Sequence, residues 1–128
     1  RELEAELRSA IRGGQLQLHY QPIVDLKTGR ISSFEALVRW QHPERGMLSP
    51  DEFIAIAEAT GLIITMGNWI VLEACRTAMQ WPADIKVSVN VSPVQMQAPG
   101  AALGFLNALK VSGLPASRLD LEITENVF

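Results

Sequence analysis

Three oxygen-bearing side chains, Glu35, Asn90 and Glu122, lie in three segments that alternate apolar and polar residues. Successive residues of a strand point to opposite faces, so each segment sorts into two sets. Phe34, Ala36, Val38 and Trp40 oppose Ser33, Glu35, Leu37 and Arg39; Ile85, Val87, Val89 and Val91 oppose Lys86, Ser88, Asn90 and Ser92; Leu119, Leu121 and Ile123 oppose Asp120, Glu122 and Thr124. Two carboxylates and a carboxamide, without His or Cys among them, favour a hard cation such as Mg²⁺ or Mn²⁺ over zinc. Arg39 shares the face of Glu35 and offers a planar fork suited to a phosphate. Metal-holding carboxylates beside such an arginine suit phosphodiester hydrolysis, because a metal polarises phosphoryl oxygens and acidifies an attacking water.

The elements that must position these residues follow from periodicity. Arg1 to Arg12 repeats Leu3, Leu7 and Ile11 at helical spacing and stops at Gly13-Gly14, which predicts a connecting helix over 1–14. Gln15 to Val24 alternates as a strand with Gln21 on its polar side, and Asp25 to Gly29 turns into a second strand, Ile31 to Trp40. The short connection makes these strands an antiparallel hairpin. Gln41 to Pro50 reads as a loop. Ser49-Pro50-Asp51-Glu52 opens a helix that ends at Gly61. A longer helix runs from Thr65 to Trp81, a third strand from Ile85 to Val91, an interrupted helix from Pro93 to Ser112, and a fourth strand from Arg118 to Thr124.

Strands that alternate with helices pair in parallel and are covered by those helices. A complete (β/α)₈ barrel takes about 250 residues, so this chain of 128 is either a small open α/β sheet or part of a barrel. The polar face then lines a barrel interior or faces water, and pattern alone leaves both open. The composition is that of one globular unit, 48% hydrophobic and 20% charged. No apolar run approaches the ~20 residues that span a bilayer. A net charge of −3 without a basic run argues against DNA or RNA as partner. The single cysteine, Cys75, allows no internal disulfide, and a reducing, cytoplasmic setting is the simplest expectation.

Five blocks in order resemble the opening of the EAL domain: Tyr20-Gln21-Pro22-Ile23-Val24, Glu35-Ala36-Leu37-Val38-Arg39-Trp40, Ser49-Pro50-Asp51-Glu52-Phe53-Ile54, Val89-Asn90-Val91-Ser92, and Leu121-Glu122-Ile123-Thr124-Glu125. The resemblance covers 15–128 as the N-terminal half of that domain. It implies a modified (β/α)₈, TIM-type barrel with an antiparallel first strand, of which about the first half is present. It also implies metal-dependent hydrolysis of cyclic di-GMP to linear pGpG with Mg²⁺ or Mn²⁺. By position, Glu35, Asn90 and Glu122 match the metal ligands, with Glu35 also the expected catalytic residue. Arg39, Gln21 and Leu37 match the ligand-contacting positions. The later family motifs, an Asp-Asp-Phe-Gly loop and a catalytic lysine among them, fall beyond Phe128, so this piece alone is expected to be inactive. A non-catalytic cyclic di-GMP receptor or interaction module is the alternative. A homodimer and a preceding sensor or cyclase-type domain in the parent protein are the expected partners.

The remaining polar residues read structurally. His19 and His42 are expected to serve local structure, Cys75 to fill a small core position, and Glu125 to sit in the loop after the last strand. Glu58, Glu73 and Asp84 are expected to face solvent, and a structural pairing of Arg39 with Glu35 stands open beside its phosphate role.

Overall fold

The computed structural model describes residues 2–125 and 128. Its frame is a five-stranded sheet: β1 (Leu16–Val24), β2 (Ile31–His42), β3 (Gly46–Leu48), β4 (Lys86–Val91) and β5 (Leu119–Ile123). The order is β1-β2-β4-β5, with β3 paired to the far end of β2. β1 and β2 are antiparallel, from Leu16 opposite Trp40 to Val24 opposite Ile31. β2 with β4, and β4 with β5, are parallel. This is the expected hairpin followed by parallel strands, and the helices lie between them.

The hairpin turn is built by its own residues. Asp25 accepts from the Lys27 N–H through Oδ1 and from the Gly29 N–H through its carbonyl, both at 2.8 Å. Gly29 takes φ 72°, a left-handed value that side chains oppose.

One expected loop holds a strand. β3 lies within 41–50 and pairs antiparallel with Trp40–His42. His42 makes this turn: its Nδ1 accepts from the N–H groups of Glu44 and Arg45, both at 3.1 Å. Gly46 follows at φ 76°, and Leu48 is buried. A three-residue strand between prolines shows no alternation to read.

The helices are α1 (Glu2–Gly13), α2 (Ile54–Thr60), α3 (Leu62–Ala78), α4 (Pro93–Gln97) and α5 (Ala101–Ser112), with 3₁₀ turns at Pro50–Glu52 and Ala116–Arg118. Helix α3 starts at Leu62, three residues before the expected Thr65, because Gly61 at φ 83° both ends α2 and starts α3. Leu62 and Ile63 are thereby buried. Helix α1 is docked: Leu7 and Ala10 have no exposure and join the common core.

That core lies between the helices and the apolar face of the sheet. Ala36, Val38 and Trp40 of β2 and Val87, Val89 and Val91 of β4 pack with Phe53, Ile63, Met66 and Val71. Trp40 meets Phe53 edge to face, centroids 5.6 Å apart, a preferred aromatic geometry. Strand β4 is central, and every residue from Val87 to Val91 is buried, the polar Ser88 and Asn90 included. Strand β5 is an edge, and its apolar Leu121 and Ile123 stay 36% and 62% exposed. The helix cover expected over them is absent from the described chain.

Arg118, read from sequence as the opening of the last strand, is a structural clasp. It is buried; Nε donates to the Ile85 carbonyl at 3.0 Å, and Nη2 reaches the carbonyls of Ala78, Pro82 and Ile85 at 2.8–3.0 Å. Ala78 ends α3, where carbonyls lack helical partners, so the guanidinium ties the α3 terminus to the start of β5.

Candidate functional site

The site forms where the polar faces of β1, β2 and β4 converge. Gln21 lies directly opposite Glu35 in the antiparallel register, and Asn90 lies beside Glu122 in the parallel one. Asn90 Nδ2 donates to Glu35 Oε2 at 2.9 Å. Asn90 is 6% exposed, so the bond forms in a poorly solvated setting where it counts for more than at the surface. The amide nitrogen being committed to Glu35, Oδ1 is the end left to accept from, or coordinate, another group.

Gln21, Glu35, Leu37 and Arg39 line one cavity of about 240 Å³ with Pro50, Asp51 and Phe128. Strand parity explains the first four: residues 35, 37 and 39 share a face, and 21 faces 35 across the hairpin. The structure thus brings together Gln21, Glu35, Leu37, Arg39 and, through its hydrogen bond, Asn90. Glu122 is placed next to Asn90 by register alone, is exposed, and does not line this cavity.

Pro50 and Asp51 are lining residues that the sequence reading used as a helix start and as part of a resembling block, without a site role. The 3₁₀ turn Pro50–Glu52 follows directly on β3 and brings both residues to the cavity. A second cavity of about 150 Å³ shares Pro50, Asp51 and Phe128 and adds Glu58 and Glu125. A larger cavity of about 340 Å³ lies between α1 and the β2–β3 turn, lined by Glu6, Ser9, Gln15 and His42 among others. It holds none of the converging residues.

Three readings are corrected, those of Arg39, Glu58 and Glu73. Arg39 does not pair with Glu35; Nη1 donates to the Val38 carbonyl at 2.7 Å. Glu35 and Arg39 lie four residues apart on the same face with Leu37 between them, and the fork folds back on its own backbone. Glu58 does not simply face solvent; it is half-buried and accepts from Ser92 Oγ at 2.6 Å. Asp84 is exposed as expected, while Glu73 is half-buried. His42 organises its loop, and Nε2 also meets Glu6 Oε1 of α1 at 2.9 Å. Since Nδ1 accepts two N–H groups, Nε2 carries the proton and donates it to Glu6. His19 stays at the surface beside Gln17. Glu125 is exposed beyond the strand end.

The donor set is two carboxylates and one carboxamide. Among the described residues no three His, Cys, Asp or Glu side chains converge into a metal-binding group. All three are oxygen donors. No described helix is long and apolar enough to cross a membrane.

Comparison with known proteins gives a consistent picture. A family model described as the EAL domain matches residues 4–128. The chain is 51% identical over 125 residues to the uncharacterized protein y4lL of Sinorhizobium fredii, covering 98% of this chain and 15% of that protein. It is 40% identical over 129 residues to the cyclic di-GMP phosphodiesterase NbdA of Pseudomonas aeruginosa, covering 98% of this chain and 16% of that protein. Among solved structures, the PaMucR phosphodiesterase in complex with c-di-GMP superposes with a TM-score of 0.92 at 41% identity, over 98% of this chain and 52% of that one. The chain therefore spans less than a quarter of these curated relatives and about half of the solved domain.

Proposed function

This chain belongs to the EAL domain family, and we propose that the complete domain of which it forms part hydrolyses one phosphodiester bond of cyclic di-GMP to give linear pGpG. The observation that carries the reading is the grouping of Gln21, Glu35, Leu37 and Arg39 around one cavity with Asn90 bonded to Glu35. The relatives supply the substrate class: NbdA is named a cyclic di-GMP phosphodiesterase, and the PaMucR phosphodiesterase was solved with c-di-GMP.

Each residue has a role that its chemistry supports. Arg39 exchanges the Val38 carbonyl for a ligand phosphate, which its fork binds more strongly as a charge-assisted pair. Gln21, opposite Glu35, offers both a donor and an acceptor to the nucleotide. Leu37 supplies apolar contact between the two charged positions. Asn90 holds one carboxylate oxygen of Glu35, so the other keeps a defined direction. Glu35, Asn90 and Glu122 are the residues that would hold Mg²⁺ or Mn²⁺, which when bound supplies polarisation of the phosphoryl group and a more acidic water. Among the described residues no complete two-metal set converges.

The test is product analysis by chromatography on the complete domain, with Mn²⁺ or Mg²⁺ and again with chelator. Glu35→Ala is expected to abolish metal-dependent formation of pGpG. Near-normal turnover by that variant would sink the assignment. The FimX EAL domain of Pseudomonas aeruginosa, solved bound to c-di-GMP, supports one second reading, a receptor that binds cyclic di-GMP without cleaving it. Tight nucleotide binding with no pGpG from the unaltered domain would select it.

A further inference from the structure

We infer that Glu58 and Ser92 form a positioning pair that fixes the Asn90 end of β4 against α2. The inference rests on the metal-site reading of Glu35, Asn90 and Glu122.

Ser92 follows Asn90 by two residues, on the same parity, just past the end of β4. It has no exposure, yet its hydroxyl is fully used. Oγ donates to Glu58 Oε2 at 2.6 Å and accepts the Val94 N–H at 3.1 Å. The second bond is an N-cap for α4 and would form with any acceptor at that place. The first is of another kind. It joins the start of α4 to α2, across 34 residues of chain. An O–H to carboxylate bond of this length is in the strong, charge-assisted range.

The position of α2 gives the pair its significance. The helix follows directly on Pro50–Glu52, and Pro50 and Asp51 line the cavity with Glu35 and Arg39. Glu58 itself lines the adjoining cavity with Asp51 and Glu125. One bond therefore staples the crossover that leaves β2 to the crossover that leaves β4. The strand end beside this bond carries Asn90. If the staple opens, Ser92 is free to move, and Asn90 two residues away loses the fixed geometry of its bond to Glu35. Partners that orient ligating groups typically change metal affinity 10–100-fold when removed. A role limited to helix capping would instead lower stability and leave metal affinity alone.

The experiment uses the complete domain and Mn²⁺ as probe, by titration calorimetry, with thermal melting alongside. Glu58→Ala and Ser92→Ala are expected to weaken Mn²⁺ binding about tenfold. The double variant should be no worse than either single one, because both remove the same bond. Glu58→Gln keeps an acceptor for Ser92 Oγ and should recover most of the affinity. Cyclic di-GMP binding measured in chelator should change less than twofold. Glu58 is half-exposed on a helix, so its two variants remain informative if Ser92→Ala fails to fold. Unaltered Mn²⁺ affinity in Glu58→Ala would overturn the inference alone. Absence of Mn²⁺ binding in the unaltered domain would overturn the metal-site reading, and the inference with it.

Discussion

The carboxamide of Asn90 donates to the carboxylate of Glu35 at 2.9 Å, across a separation of 55 residues. The bond crosses the parallel β2–β4 junction, whose register runs from Ser33 opposite Lys86 to Ala36 opposite Val89. It predicts an asymmetric response to substitution. Asn90→Asp keeps the shape but sets an anion against Glu35, and like charges at this distance disfavour ionisation of both. In chelator at neutral pH the variant domain should be less stable by about 1–3 kcal/mol, the cost of leaving a buried polar partner unsatisfied. A divalent cation would relieve the repulsion. Added Mn²⁺ should therefore raise the melting temperature of the variant more than that of the unaltered domain. Equal shifts in the two proteins would show that no cation sits between these groups.

The polar face that holds this pair was readable from period-2 alternation, because parity places Glu35, Leu37 and Arg39 together whatever the tertiary structure. The antiparallel hairpin was readable from Asp25 to Gly29 for a similar local reason. What pattern could not supply were the consequences of packing between distant segments. Ser92 and Glu58 are each unremarkable residue types, and only the docking of α2 on the β4–α4 corner joins them. Arg118 looks like any residue at the start of a strand until the carbonyls at the end of α3 converge on it. The fate of Arg39 was equally hidden: sequence puts it beside Glu35 on a face but does not specify the rotamer that carries Nη1 to the Val38 carbonyl.

Arg39 yields a prediction about ligand affinity. Its fork is occupied by the Val38 carbonyl at 2.7 Å, a neutral acceptor that a phosphate can displace. Arg39→Ala should weaken cyclic di-GMP binding in the complete domain by about 10–100-fold, in line with 1.5–3 kcal/mol for a hydrogen bond to a charged group. Arg39→Lys should recover only part of this, since an ammonium cannot make the paired contact. Fluorescence titration of the nucleotide in chelator measures it without turnover. Equal affinities across the three proteins would remove Arg39 from the binding site.

Arg118 yields a prediction about stability alone. Three backbone carbonyls take hydrogen bonds from one buried guanidinium. Arg118→Met preserves much of the aliphatic stem but leaves those carbonyls without their donor. The loss is expected to reach about 3 kcal/mol or more, as for other buried, charged hydrogen-bonding groups whose partner is removed. Denaturant titration of the complete domain checks it. Nucleotide affinity per folded molecule should stay unchanged, because Arg118 lies at the start of β5, away from the cavity-lining residues.

Cys75 and Tyr20 together set the alkaline limit. Cys75 is buried in α3 with no exposure, and burial pushes its thiol above the usual range, with the Ser112 contact pulling weakly the other way. Burial likewise raises Tyr20; the Thr77 hydroxyl opposes this, while Glu73 and Cys75 add to it. Below the unfolded thiol value of about 8.5 both states keep their protons, and neither group makes stability depend on pH. Above it the unfolded chain releases a proton that the folded chain retains, so stability falls as pH rises, and falls further once tyrosine ionises beyond about pH 10. Cys75→Ala should remove the first part of that decline and leave the second. Denaturant titrations at pH 7, 9 and 10.5 on both proteins separate the two. The same burial predicts that a thiol reagent labels Cys75 only after unfolding, since the reactive thiolate is both disfavoured and out of reach in the native state. Rapid labelling of the folded domain at neutral pH would contradict the packing of α3 against the sheet.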